Sequence, residues 1–208
     1  MARYTGPVCR ICRRYGEKLM LKGDKCVTKC TLEKRPTPPG QQSTGRRRKL
    51  SDRALQLREK QKARYSYGVL EKQFVDYYED AVRMPGVTGE NLVRQLELRL
   101  DNVVHKMGFG DSLAQARQFI NHGHIALNGR KTNVASAATK PGDTVGWSAQ
   151  GRKTEAFKYA QENLANKKIP SWLNVDATAM TGRVLAAPAA GETVSQFDPA
   201  VIVEFYSR

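Results

Sequence analysis

Apolar residues repeat along this chain with two different periods, and the change of period divides it. In the middle of the chain the step is three or four residues, the helical repeat. Ser51 can cap a helix running through Ala54, Leu55, Leu57, Gln61 and Tyr65. A second helix is expected over residues 68–84, with Val69, Leu70, Phe74, Tyr77, Tyr78, Ala81 and Val82 available to a core and Pro85-Gly86 as its stop. Thr88 opens a third, whose face carries Leu92, Leu96, Leu100, Val103 and Met107 as far as the break at Gly108-Phe109-Gly110.

The next start signal is complete in itself. Ser112 stands three residues before Gln115, the spacing of a capping box, and Asp111 adds negative charge at the helix N-terminus. Leu113, Ala116 and Ile120 can point inward, and Gly123 ends the helix. Residues 124–128 then run out as a strand closed by Asn128-Gly129, a hairpin-turn dipeptide, with residues 130–133 returning. A tight turn at Lys140-Pro141-Gly142-Asp143 leads into a strand over 144–147. A polar helix is expected over 151–166, and short strands over 172–175, 182–185 and 201–205.

All four cysteines lie in the first thirty residues, as Cys9-x-x-Cys12 and Cys26-x-x-x-Cys30. Two close pairs across a loop resemble a zinc ribbon, in which four thiolates enclose one ion tetrahedrally and leave no position open for water. One structural Zn2+ on Cys9, Cys12, Cys26 and Cys30 is therefore expected; free thiols in a flexible arm, or two disulfides, are the alternatives. The elements together make an α+β chain. A zinc-ribbon-like knob with an extended arm (residues 1–45) precedes a helical domain (46–97). A small inserted module follows, a helix pair on a little sheet (98–152). A helix and short strands come last, the C-terminal strand closing the fold (153–208).

Charge adds the partner. Thirty-five Lys and Arg against 20 Asp and Glu leave a formal net charge of +15, which favours a polyanion. Residues 1–90 carry 21 basic and 10 acidic side chains, residues 91–150 carry 7 and 4, and residues 151–208 carry 7 and 6, so the first part holds most of the field. A run of charge is usually a solvated face that mixes both signs. The stretch from Arg46 to Arg64 carries nine basic and two acidic side chains, so nearly all of its charge has one sign, and contacts to phosphates are expected from Arg46, Arg47, Arg48, Lys49, Arg58, Lys60, Lys62 and Arg64. No run of 18 apolar residues occurs and the opening MARYTGPVCR has no apolar signal core, so a soluble, cytoplasmic protein with no membrane partner is expected.

The specific chemistry gathers in the inserted module. Arg117 and Asn121 stand four apart on one helix face with Gln118 and His122 beside them, side-chain types that grip nucleic acid. An RNA-modifying enzyme using such a module as a guide is the competing reading. It would need a nucleophile or base in a pocket, yet the three histidines are His105, His122 and His124, and no carboxylate pair or Gly-rich phosphate loop accompanies them. His105, after Val103-Val104, reads as a helix-surface or core histidine. No small-molecule substrate is expected.

Several stretches in order resemble one family: MARYTGPVCRICRR at the start, RRRKLS at Arg46, LQLREKQKAR at Leu55, TGENL at Thr88, RLDNVVHKMGF at Arg99, QARQFINHGHIALNG at Gln115, KPGD at Lys140 and the closing IVEFYSR. They are similar to the S-four family of bacterial small-subunit ribosomal proteins, across essentially the whole chain. The resemblance implies a structural constituent of the small ribosomal subunit that binds its RNA early, nucleating the 5′ domain. It implies a position near the mRNA entry channel beside the neighbouring proteins S-three and S-five, and translational autoregulation in some members. It also implies that the module is the small RNA-binding unit found in pseudouridine synthases and tyrosyl-tRNA synthetases, its RNA-facing residues being Arg117, Gln118, Asn121, His122, Gly123, His124, Asn128 and Lys131. Three departures are visible: Leu113 stands where members place an Arg, Ala135-Ser136-Ala137-Ala138 replaces a Pro-Ser-Tyr run, and the Cys26-x-x-x-Cys30 pair is one residue tighter than in zinc-bearing members. One phosphate contact and one aromatic contact are therefore expected to be missing, while the cysteine spacing still falls within the range of zinc sites.

Overall fold

Helices dominate the first half of the chain and a small sheet the second. The computed structural model describes residues 4–40, 49–189 and 196–207. In chain order these form α1 (Cys9–Tyr15), α2 (Asp24–Thr28), α3 (Thr31–Lys34), α4 (Asp52–Ser66), α5 (Glu71–Arg83) and α6 (Thr88–Glu97). There follow α7 (Leu100–Lys106), α8 (Leu113–Asn121), β1 (Ile125–Leu127), β2 (Arg130–Lys131) and β3 (Thr144–Trp147). After a 3-10 turn come α9 (Glu155–Asn163), β4 (Leu173–Asp176), β5 (Thr181–Val184) and α10 (Pro199–Tyr206). The chain is α+β, in two units: Met1–Leu92 with Ser195–Arg208, and Val93–Val194. Among the described residues no helix is long and apolar enough to cross a membrane.

In the first unit, the ribbon-like knob expected around the cysteines is instead helical. No strand forms among its described residues; Cys9 and Cys12 lie on α1, which Gly16 ends at φ 71° with its N–H bonded to the Cys12 carbonyl. The reason is that Ile11, Cys12, Tyr15 and Leu19 bury together, which a helical spacing allows and an alternating one does not. α4 begins as its sequence signals, with Ser51 Oγ accepting from the Ala54 N–H.

The segment 201–205 is a helix and not the closing strand that its Val-Ile-Val run suggests. Asp198 caps it by accepting from the Ala200 N–H, and Pro199 occupies the first turn, where its missing donor costs nothing. Packing overrides the β-branched propensity. Ile202 is fully buried, Tyr206 stacks on Tyr78 at 4.6 Å, and Gln56 of α4 donates to Glu204 at 3.0 Å.

In the second unit, β2-β1-β3-β5-β4 form one antiparallel sheet. One face of it packs with α7, α8 and α9 around Val103, Val104, Met107, Ile120, Val145, Trp147, Leu173 and Val184. Gly182 lets Met107 pack closely there, since a Cβ would stand 2.6 Å from Met107 Sδ. The single apolar helix expected from residue 88 to 107 is broken between Glu97 and Leu100. Arg99 is extended (φ −67°, ψ 138°) and bridges Ala138, while the Leu100 N–H donates to the Ala137 carbonyl and Thr139 donates twice to the Leu98 carbonyl. Small side chains at 135–138 suit this close pairing, and Ala135 is fully buried.

Candidate nucleic-acid interface

The candidate interface is built around the C-terminal end of α8. Ser112 Oγ accepts from the Gln115 N–H at 3.3 Å and Gln115 Oε1 accepts from the Asp111 N–H at 2.7 Å, so the helix start is fixed from both sides. Ala116, Phe119 and Ile120 face the core, which turns Gln118, Asn121 and His122 to solvent. Gly123 then reverses the chain at φ 71°. Lys131 of β2 lies across it, so closely that a Cβ at 123 would stand 2.1 Å from Lys131 Cε. The ammonium donates to Gln150 Oε1 at 3.0 Å. Below, Ser148 binds the turn twice, its N–H to the His124 carbonyl at 2.8 Å and its hydroxyl to the Gly123 carbonyl at 2.9 Å.

Gln118, Asn121, His122, Gly123, His124 and Lys131 thus form one edge. The His122 and His124 rings lie 5.8 Å apart, and His124 Nδ1 is buried without a hydrogen-bond partner. Burial of its ring, then His122 and Lys131 beside it, hold His124 below the usual imidazole pKa. A ring kept neutral beside a cation and another imidazole is a place where an incoming phosphate would be stabilising.

Other expected contacts are committed elsewhere. Arg117 is buried, and its Nε and Nη2 donate to Asp101 Oδ2 at 3.0 and 2.6 Å, while Arg99 holds the same carboxylate at 3.1 and 2.9 Å. It faces inward because Asp101 is wholly buried and needs cations. The Asn128 amide does not face RNA freely either: it donates to Asp143 at 2.9 Å and accepts from the Thr144 N–H at 2.8 Å, in the left-handed conformation at φ 51°. Lys60 and Lys62 of α4 are buried, Lys60 on Glu71 and Lys62 between Glu17 and Glu59. Arg58 donates to the Tyr15 carbonyl, and Arg64 lies over the Tyr65 ring and bonds Gln61 at 2.8 Å. These side chains knit the helical unit, because Glu17 approaches α4 from earlier in the chain and Glu71 from the helix that follows, while Glu59 lies one turn from Lys62 on α4 itself. Lys49 is exposed; Arg46, Arg47 and Arg48 lie outside the described residues.

His105 is a core-edge histidine, its Nδ1 3.0 Å from the Gly110 carbonyl, with burial lowering its pKa. Cys9, Cys12, Cys26 and Cys30 form no disulfide with one another. Burial pushes the Cys12 thiol up against a hydrogen bond from the Leu19 backbone, and Cys26, Cys9 and Cys30 add to the rise, so the four sulfurs feel one another. Among the described residues no group of three or more His, Cys, Asp or Glu is arranged to hold a metal ion. Gln150, which holds Lys131, and Arg130, Arg152 and Lys153 are further exposed candidates that the sequence pattern did not single out. The run Gln150-Gly151-Arg152-Lys153 directly after a strand was the available signal.

A helix pair on a small antiparallel sheet, with a polar edge at the helix-to-strand turn, defines the class: a module of the S4-domain type. Residues 98–145 match the S4 domain family, and residues 3–97 match the ribosomal protein S4/S9 N-terminal domain. The chain is 51% identical to the small ribosomal subunit protein uS4 of Dehalococcoides mccartyi and 49% identical to that of Pelotomaculum thermopropionicum, both over the full length of each chain. It is 52% identical over the full length to the small ribosomal subunit protein uS4A of Symbiobacterium thermophilum. The chain belongs to the uS4 family of small ribosomal subunit proteins.

Proposed function

We propose that this protein is a structural, non-enzymatic constituent of the small ribosomal subunit, working in the cytoplasm by binding ribosomal RNA. The observation that carries the reading is the edge Gln118, Asn121, His122, His124 and Lys131 on a chain that keeps a net charge of +15. Affinity comes from cations on phosphates, and selectivity from the shape of a folded RNA, because side chains cannot read the deep major groove of an A-form helix. The decisive experiment titrates the protein against a small-subunit RNA fragment at several salt concentrations. A log-log slope of several units is expected, with weakening by the double variant Q118A/N121A; a flat salt dependence overturns the reading.

The finer parts of the proposal are nucleation of the 5′ domain, a place by the mRNA entry channel beside S-three and S-five, and translational autoregulation. What supports them is resemblance to the family. We also propose that Cys9, Cys12, Cys26 and Cys30 hold one structural Zn2+. Four thiols in two close pairs are the donor set of a closed zinc site, and the charge of the ion would offset the burial penalty on the Cys12 thiolate. Metal analysis of the purified chain, with a stoichiometry near zero as the refuting result, tests it.

A further inference from the structure

The sheet of the second unit has two faces, and the helices α7, α8 and α9 pack on only one. Register assigns the other. Ala126, Lys131, Gly146, Thr144, Thr181, Arg183, Asn174 and Asp176 are paired across the strands as Ala126 with Lys131 and Gly146, Gly146 with Thr181, Thr144 with Arg183, and Asn174 with Arg183. Cross-strand partners share a face, so these residues lie together opposite the core. Small side chains at 126 and 146 leave the middle flat. A Cβ at Gly146 would stand 2.8 Å from Thr181 Cγ2, so even alanine is crowded there.

Cations border this flat face. Lys131 is held by Gln150 at one edge, and Arg152 is fixed beside the β4–β5 turn by Nη2 donating to the Ala179 carbonyl at 2.9 Å. Arg183 stands exposed on β5. From β2 to β5 is three inter-strand steps, about 14 Å. The acidic residue on the face, Asp176, is turned to its own loop, accepting from Thr178 and from the Ala179 N–H. Cations already held in place lose little freedom on binding a polyanion, and exposed Thr144 and Asn174 can hydrogen-bond sugar hydroxyls.

We propose that this open face is a second RNA site, distinct from the α8 edge, which takes the sugar-phosphate backbone of an A-form ribosomal RNA segment. Charge complementarity decides the occupant: the paired residues of the face are small or polar and are bordered by cations. The inference rests on the RNA-binding reading above and shares Lys131 with it.

The test uses the full chain. R152Q/R183Q is titrated against the small-subunit RNA over a range of salt, next to Q118A/N121A. Each phosphate contact accounts for a slope of about 0.7 to 0.9, so R152Q/R183Q should lower the log-log slope by about 1.5 and weaken binding several-fold at low salt. R183Q alone, which removes no hydrogen bond seen in the structure, should lower it by about half as much, separating RNA contact from any loss of fold in the double variant. A photo-crosslinker at position 174 on the same face should attach to RNA in assembled subunits. Unchanged slopes in both Arg variants, or crosslinking to a protein alone, overturn the second site. If Q118A/N121A also binds normally and salt has no effect, it is the RNA-binding reading that has failed.

Discussion

Arg117 Nη2 lies 2.6 Å from Asp101 Oδ2, with the carboxylate wholly buried and Arg99 on its other side. This contact joins α8 to α7, and it turns the residues next in sequence outward. An arginine whose helix position suggested a grip on RNA instead sets the azimuth of the helix that carries Gln118 and Asn121.

Removing it should therefore act on stability. Truncating one member of a buried ion pair costs about 3–5 kcal/mol, so R117A should unfold at markedly lower urea, while its RNA salt slope stays that of the parent. A loss below about 0.5 kcal/mol, within the range of ordinary surface changes, would show that the pair is not the clamp between α7 and α8.

Asn128 gives a second, smaller effect. N128A loses the bonds to Asp143 and Thr144 and keeps a Cβ at φ 51°, and should cost about 1–2 kcal/mol. N128G keeps the backbone freedom and loses only the bonds, so it should cost less than N128A. Equal melting points for all three proteins would refute the lock on the hairpin.

Lys62 offers a direct comparison with the proposed RNA contacts. Held between Glu17 and Glu59, it should on change to alanine destabilise the helical unit by about 1–2 kcal/mol, discounted for the exposure of Glu17. The slope of RNA affinity against salt should not move. A fall of the slope by about one unit would return Lys62 to the phosphate contacts.

Acid should weaken the fold before the carboxylates titrate. His105 and His124 both have folded pKa values held below the ordinary 6.5 by burial, so the unfolded chain takes up protons first. Their contribution is complete above pH 6.5 and declines as pH falls below it, levelling off once the folded rings protonate. Thermal melting at pH 7.5 and 5.5 should show a lower midpoint at the acid end, with a smaller difference in H105Q. RNA phosphate near His124 should raise its pKa, so affinity should rise over the same fall in pH; a flat profile argues against contact at that ring.

Periodicity carried the helices and turns where local chemistry decided them. Ser51, the Ser112-Gln115 pair and Asn128-Gly129 act within a few residues, and their elements stand where those signals put them. The errors come from partners far along the chain. Nothing near Lys60 reveals that Glu71 will cover it, nor near Lys62 that Glu17 will; a basic run looks the same whether it meets phosphate or a distant carboxylate. Val201, Ile202 and Val203 read as a strand because propensity was counted without the aromatic contact of Tyr206 with Tyr78, and the Asp198-Pro199 start was the better guide. The break at Arg99 escaped periodicity because Leu96 and Leu100 keep helical spacing across it. The edge at Gln118, Asn121 and His122 was legible as a helix face; Gln150 was not, being joined to it only through Lys131.

The packing of α10 against α4 has a consequence for how the chain is made. Synthesis proceeds from the N-terminus, so the second unit, continuous from Val93 to Val194, is complete while part of the first is still missing. The helix that buries Ile202 and stacks Tyr206 on Tyr78 leaves the ribosome after everything it must pack against. The first unit is accordingly completed after the second, although its helices α1 to α5 are made before it.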